Sequence, residues 1–332
     1  MYKLSKDGVF PYICLALVCV TLTAVLHFGQ KELFYNKTVL TMIGIVPFPT
    51  MELEARSAII YDPNTGKVLF EKDSDTPRPL ASLTKVMTAL VSADLLGSGD
   101  EVDIQRQIII PATTTATSSP EATSTPSVEG LATSTGTTTD EATITLNINE
   151  RWRAGDLSQV MLVSSSNEAA NALAGEATTR SGENFVQAMN DKAKELGLQT
   201  VVFRNPSGLD VSAEMSGASG SAKDIAKLFS YILENKLSAF DVTKKWAITR
   251  QTIDGQPLTA QNTNRVLDQI PGLYFSKTGL TTLAGGNLAV AYDAGLGHPL
   301  VAVVLGSSES GRFTDMVKLV NASVEYLAQK KP

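Results

Sequence analysis

Three short clusters carry the residue types needed for acyl transfer. The first is Ser82-Leu83-Thr84-Lys85. A serine hydroxyl is a weak nucleophile until a base takes its proton. Positions i and i+3 of a helix share a face, so Ser82 Oγ and Lys85 Nζ can meet. A lysine serves as that base when desolvation or nearby cations loosen its proton. The second cluster is Ser165-Ser166-Asn167. From a loop, the Ser165 hydroxyl can relay a proton to a leaving group. The Asn167 amide can hold both a substrate amide and the Lys85 ammonium. The third is Lys277-Thr278-Gly279, at the end of an apolar run. Its cation and hydroxyl suit a carboxylate, and Gly279 leaves room for a substrate backbone to approach a strand.

Each cluster alone has a plainer reading. Ser82 and Lys85 could be a helix start with a solvated lysine. Residues 165–167 could cap the helix that begins at Glu168. Residues 277–279 could be a strand-end turn. Other hydrolytic chemistry is short of material. The two cysteines, Cys14 and Cys19, both lie in an apolar N-terminal run, so the rest of the chain has no thiol nucleophile or disulfide. Histidine is limited to His27, in the same region, and His298, in a Gly-Leu-Gly-His-Pro turn. A zinc site with several histidines is excluded. A net charge of −6 argues against a nucleic-acid partner, which calls for a basic stripe.

The elements that must position the three clusters follow from periodicity and turn residues. Residues 56–61 and 67–72 read as a hairpin around the turn at 62–66, and a helix starts near Ala81. Asp156 is a candidate N-cap for a helix carrying Leu157, Val160 and Met161. Further helical patterns run from Glu168 to about Thr178, from Gly182 to Leu196, and from Ser221, paired with Asp224, to about Asn235. The C-terminal third holds three apolar or alternating strands split by glycine-rich turns, then a helix over residues 311–329. Strands at both chain ends with helices between predict an α+β fold, an antiparallel sheet with an inserted helical lobe.

Two segments stand apart. Residues 9–28 are apolar and uncharged, and as a helix they would span about 30 Å, the thickness of a bilayer core. The run lacks an Ala-x-Ala cleavage pattern, and Lys3 and Lys6 precede it. The expectation is an uncleaved single-pass anchor (a cleaved signal being the alternative) at residues 1–30, a tether at 31–54, and an extracytoplasmic domain at 55–330. Residues 112–142 are dominated by Thr, Ser and Ala and are expected to be a disordered insertion. The apolar runs on either side, residues 102–110 and 143–148, are expected to pair at its base.

The order Ser-x-x-Lys, Ser-x-Asn, Lys-Thr-Gly, on helix start, inter-helix loop and sheet strand, resembles the penicillin-binding superfamily. More narrowly it resembles the low-molecular-mass D-alanyl-D-alanine carboxypeptidases, peptidase family S11. The segments "YDPNTGKVLFEKDSDTPRPLASLTKVMTAL", "MLVSSSNEAANALA" and "FRNPSGLD" carry the same likeness. It covers roughly residues 55–328. The resemblance implies a β-lactamase/transpeptidase-like fold, with Ser82 as acyl-ester nucleophile and Lys85 as its general base. Ser165 and Asn167 would complete the catalytic set, and Lys277, Thr278, Gly279 and Leu280 would line the substrate strand. It further implies an oxyanion hole from the N–H groups of Ser82 and Leu280. The implied substrates are peptidoglycan stem peptides ending in D-Ala-D-Ala, with β-lactams as covalent inhibitors, at the bacterial cell membrane.

The sequence departs from the family pattern at Ser166, where many relatives have glycine, and at Ser276, where glycine or an aliphatic residue is expected. The C-terminal β-rich domain and amphipathic anchor of many relatives have no counterpart, so the N-terminal run would replace that anchor. Three alternatives stay open. A class A β-lactamase would need a Glu-x-x-Leu-Asn segment, and the nearest match, at Glu195, ends in Gln199 and reads as a helix end. D,D-endopeptidase or transpeptidase action on cross-links could use the same groups. A non-catalytic penicillin-binding sensor or scaffold is the reading from a different class.

Overall fold

The strands β1 (Ser57–Asp62) and β2 (Lys67–Lys72) form a hairpin closed by the Asp62 side chain, which accepts from the N–H groups of Asn64 and Thr65. In this computed structural model, residues 48–104, 144–295 and 297–329 are described. The apolar segment at 9–28, most of the tether and the insertion at 112–142 lie outside them. Among the described residues no helix is long and apolar enough to cross a membrane. Residues 48–54, read from sequence as tether, pack on the domain. Leu53 is buried, and the Phe48 ring lies 5.6 Å from that of Phe70.

Chain order continues with β3 (Arg78–Pro79), a 3₁₀ turn (Ala81–Leu83) and helix α1 (Thr84–Leu95). Strands β4 (Glu101–Asp103) and β5 (Arg151–Arg153) then pair across the insertion. Helices α2 (Ala154–Ser164), α3 (Asn167–Ser181) and α4 (Phe185–Glu195) follow. Strands β6 (Val202–Phe203) and β7 (Ala218–Gly220) precede α5 (Ala222–Asn235) and the short α6 (Leu237–Phe240). A hairpin of β8 (Ala247–Gln251) and β9 (Pro257–Gln261) leads to β10 (Leu273–Thr281), β11 (Gly285–Asp293), β12 (Pro299–Ser307) and α7 (Gly311–Gln329).

The main sheet has the order β10-β11-β12-β1-β2 and is antiparallel throughout. It joins the two ends of the chain, with Ile59 opposite Val303 and Lys277 opposite Ala289. Its central strands are apolar on both faces because helices cover both. Ile59, Val301 and Val303 face one core, and Ile60, Ala302 and Val304 face the other, as a two-residue period requires. α7 seals the second face with Met316, Leu319 and Val320, spaced i, i+3, i+4. α5 covers the first, and its Phe229 ring stacks on Phe275 of β10 at 4.8 Å. Each such side chain contributes roughly 1.5–3 kcal/mol on burial.

The helical lobe is built around α1. Every residue from Thr84 to Ser92 is buried, which places this helix at the lobe's centre against α2, α3 and α4. That burial carries Lys85 into the interior. Helices α3, α4 and α5 start on side-chain caps. Ser166, Asn184 and Ser221 each accept an N–H from three residues on. Asp156 is not the N-cap expected from sequence. Helix α2 opens at Ala154, leaving Asp156 in the first turn, where its charge suits the helix dipole and faces Arg250 at 3.3 Å. β4 has a partner nearer the helical lobe. That partner is Arg151–Arg153, with the fully buried Trp152 opposite Val102, and most of the pairing expected between residues 102–110 and 143–148 lies outside the described residues.

Candidate active site

The turn that presents Ser82 is wedged from three sides. β7 holds the strand before it, and the Leu80 N–H donates to Ala218 O at 3.0 Å. Gly208 lies beneath Ala81 so closely that a Cβ there would sit 2.0 Å from Ala81 O. Its φ of +81° equally demands glycine. On the third side β10 runs past the turn, and a Cβ on Gly279 would lie 2.9 Å from Leu80 O and 3.2 Å from Ser82 N. The sequence reading gave the missing side chain of Gly279 to an approaching substrate. In the structure, the chain's own Leu80–Ser82 backbone takes that space. Ala81 itself has φ +48°, rare for a residue with a Cβ, so the turn is held under strain by its neighbours. Gly208→Ala is accordingly expected to cost about 2–4 kcal/mol of stability, measured by thermal unfolding. An unchanged melting temperature would show that the wedge is dispensable.

Ser82 is half-buried and Lys85 is fully buried. Lys85 Nζ donates to Ser82 Oγ, to Asn167 Oδ1 and to Ser207 O, each at 2.8 Å. Two clusters expected from sequence therefore meet on one nitrogen. The third partner, a backbone carbonyl in the 205–208 loop, was not legible from residue types. That loop is fixed to α1 by Thr88, whose hydroxyl donates to Pro206 O at 2.6 Å.

Ser165 sits at the C-terminus of α2 with φ +64°, a left-handed step that reverses the chain into α3. Two residues carry the site and the one between them carries the helix. Ser166 Oγ caps α3 by accepting from Ala169 N at 3.1 Å, while Ser165 and Asn167 reach the cleft. The departure to serine at position 166 thus has a local use. The segment caps a helix, one residue earlier than expected, and it also sets Asn167 against Lys85 and Ser165 against Lys277.

Lys277 and Thr278 are each 2% exposed. Lys277 Nζ donates to Ser165 Oγ and to Thr278 O, both at 2.9 Å. The third cluster therefore joins the second across the cleft. The Thr278 hydroxyl is bonded to that of Thr263, a residue no sequence motif singled out. The departure at Ser276 is also accommodated, since its buried hydroxyl accepts from Asn264 Nδ2 at 3.1 Å.

Arg312 of α7 is the other residue missed. It is fully buried and donates through one guanidinium nitrogen to Gly279 O at 2.9 Å. Its side chain lies on the β11 side of β10, against Gly286. A planar trans peptide points its C=O and N–H in opposite directions. The Leu280 N–H therefore points away from the Arg312 guanidinium. No group of His, Cys, Asp and Glu able to hold a metal occurs among the described residues.

This geometry has close relatives. The profile of the family described as D-alanyl-D-alanine carboxypeptidase matches residues 45–309. D-alanyl-D-alanine carboxypeptidase DacF of Bacillus subtilis is 31% identical over 77% of this chain and 58% of its own length. The chain thus spans about three fifths of that relative. A D-alanyl-D-alanine endopeptidase of Pseudomonas aeruginosa is 28% identical over 76% of this chain and 74% of its own. Among solved structures, penicillin-binding protein D2 of Listeria monocytogenes, in its ampicillin-bound form, superposes with a TM-score of 0.64 at 25% identity. It covers 83% of this chain and 99% of that one. The β-lactamase/transpeptidase-like fold expected from sequence is present. The chain belongs to the D-alanyl-D-alanine carboxypeptidase family, peptidase family S11.

Proposed function

We propose that the chain is a serine-type D-Ala-D-Ala carboxypeptidase that removes the terminal D-alanine of peptidoglycan stem peptides. The observation that carries this is the set of contacts at Lys85 Nζ. A neutral lysine has two N–H bonds and one lone pair. With Asn167 Oδ1 and Ser207 O accepting the two hydrogens, the lone pair is left facing Ser82 Oγ. The amine is then aimed at the one proton it must take.

The Ser82 oxygen attacks the carbonyl carbon between the two D-alanines as its proton passes to Lys85. The oxyanion forms between the N–H groups of Ser82 and Leu280, donors of a kind worth about 10²–10³ in rate each. The C–N bond breaks as the leaving amine takes a proton from the Lys85–Ser165 side, and D-alanine departs. Water then attacks the acyl ester, returning the proton to Ser82 and releasing the shortened peptide. Lys277 and the Thr278 hydroxyl hold the terminal carboxylate. β-Lactams acylate Ser82 by the same attack. We further infer that residues 9–28 anchor the chain in the bacterial cell membrane, with the catalytic domain outside.

The test uses the full chain in detergent and its Ser82→Ala variant. Both are given a fluorescent penicillin, a D-Ala-D-Ala peptide and a cross-linked stem-peptide dimer. The expected result is label on the parent alone, with D-alanine released from the peptide. Cleavage of the dimer without D-alanine release would replace this reading by the endopeptidase activity named for the Pseudomonas relative. No label on folded parent would end the acyl-enzyme mechanism.

A further inference from the structure

The corner between β9 and β10 is bonded to the strand that carries Lys277 and Thr278. Asn262 Nδ2 donates to Thr243 O and Lys245 O, and its Oδ1 accepts from Asn264 N. Thr243 Oγ1 accepts from Ser276 N, and Asn264 Nδ2 donates to Ser276 Oγ. The corner is therefore fastened to β10 on both sides of Thr263. The Thr263 N–H donates to Val163 O at 3.2 Å, two residues before Ser165. Its hydroxyl meets the Thr278 hydroxyl. One residue thus bridges the helix end that carries Ser165 and the strand that carries Lys277.

We propose that Thr263 is a positioning residue that aims the Thr278 proton at the substrate carboxylate. Each hydroxyl has one proton. A carboxylate only accepts, so when it binds, the Thr278 proton must point to it. The bond between the two threonines can then persist only with Thr263 as donor. That donation fills a lone pair on Thr278 and polarises its O–H, which strengthens the bond to the anion. Without Thr263, the Thr278 hydroxyl is free to rotate its lone pairs toward the carboxylate. The inference rests on the carboxypeptidase reading, because it assigns Thr278 a carboxylate to hold.

The experiment compares parent, Thr263→Val, Thr263→Ser and Thr278→Val full-length protein. The substrates are a peptide ending in D-Ala-D-Ala and the same peptide ending in D-alaninamide. Thr263→Val is expected to raise KM for the acid about tenfold, the scale of one hydrogen bond to a charged group, with kcat within about threefold. The amide, which has no carboxylate, should lose no more than about twofold in kcat/KM. Thr263→Ser, which keeps the hydroxyl, should restore KM. In the Thr278→Val background, Thr263→Val should add nothing further. Equal losses on acid and amide would make Thr263 a general structural residue and overturn the proposal, as would an unchanged KM for the acid. Failure of the parent to release D-alanine would instead overturn the carboxypeptidase reading and this inference with it. Label by fluorescent penicillin on every variant shows that each is folded.

Discussion

Lys85→Met is expected to slow acylation of Ser82 by about 10³–10⁴-fold, the scale of a lost general base. Methionine has nearly the length of lysine and fills the same buried position on α1 without a charge. The loss is therefore chemical more than steric. Asn167 Oδ1 and Ser207 O lose the donor that they share at 2.8 Å, and a buried acceptor left unsatisfied costs about 1–3 kcal/mol. A lower melting temperature is expected alongside, so acylation is to be measured below the onset of unfolding. Stopped-flow labelling with a fluorescent penicillin reads the rate directly. A fall below about tenfold would mean that another group takes the Ser82 proton.

The same nitrogen shows how far sequence could reach. Ser82 and Lys85 were legible because i, i+3 spacing is a local property of one helix. Asn167 was legible as a member of an ordered set of motifs. Ser207 was not, because its contribution is a backbone carbonyl, which every residue carries. The flanking Gly208 is the signal that could have found it, in a segment already noted for its likeness to the family. Thr263 and Arg312 escaped for a related reason. Each acts through a partner brought close by the sheet and by α7, with no periodic or spaced pattern of its own. The hairpin of β8 and β9 drew no prediction either. Its strands are half-exposed and polar, with alanine, threonine and glutamine where a clear strand signal needs large apolar residues. Strands β11 and β12 were legible because burial on two faces demands near-continuous apolar runs, and α7 because its apolar residues recur on one face.

Lys277→Met is expected to lower kcat/KM for a D-Ala-D-Ala peptide by about 10²–10³-fold. Two separable losses contribute. One is the cation that the proposed function assigns to the substrate carboxylate, which should appear mainly in KM. The other is the donor to Ser165 Oγ at 2.9 Å, which should appear in kcat. Ser165 stands in a left-handed backbone conformation, so its main chain is already committed and its hydroxyl direction depends on its partners. A substrate ending in D-alaninamide removes the first loss and keeps the second. On that substrate Lys277→Met should still cost about tenfold in kcat, and Ser165→Ala should cost as much without adding to it. If the amide is turned over equally well by parent and Lys277→Met, the Lys277–Ser165 contact plays no part in proton transfer. Lys277 would then serve the carboxylate alone, and the proton for the leaving amine would have to come from Lys85 without Ser165.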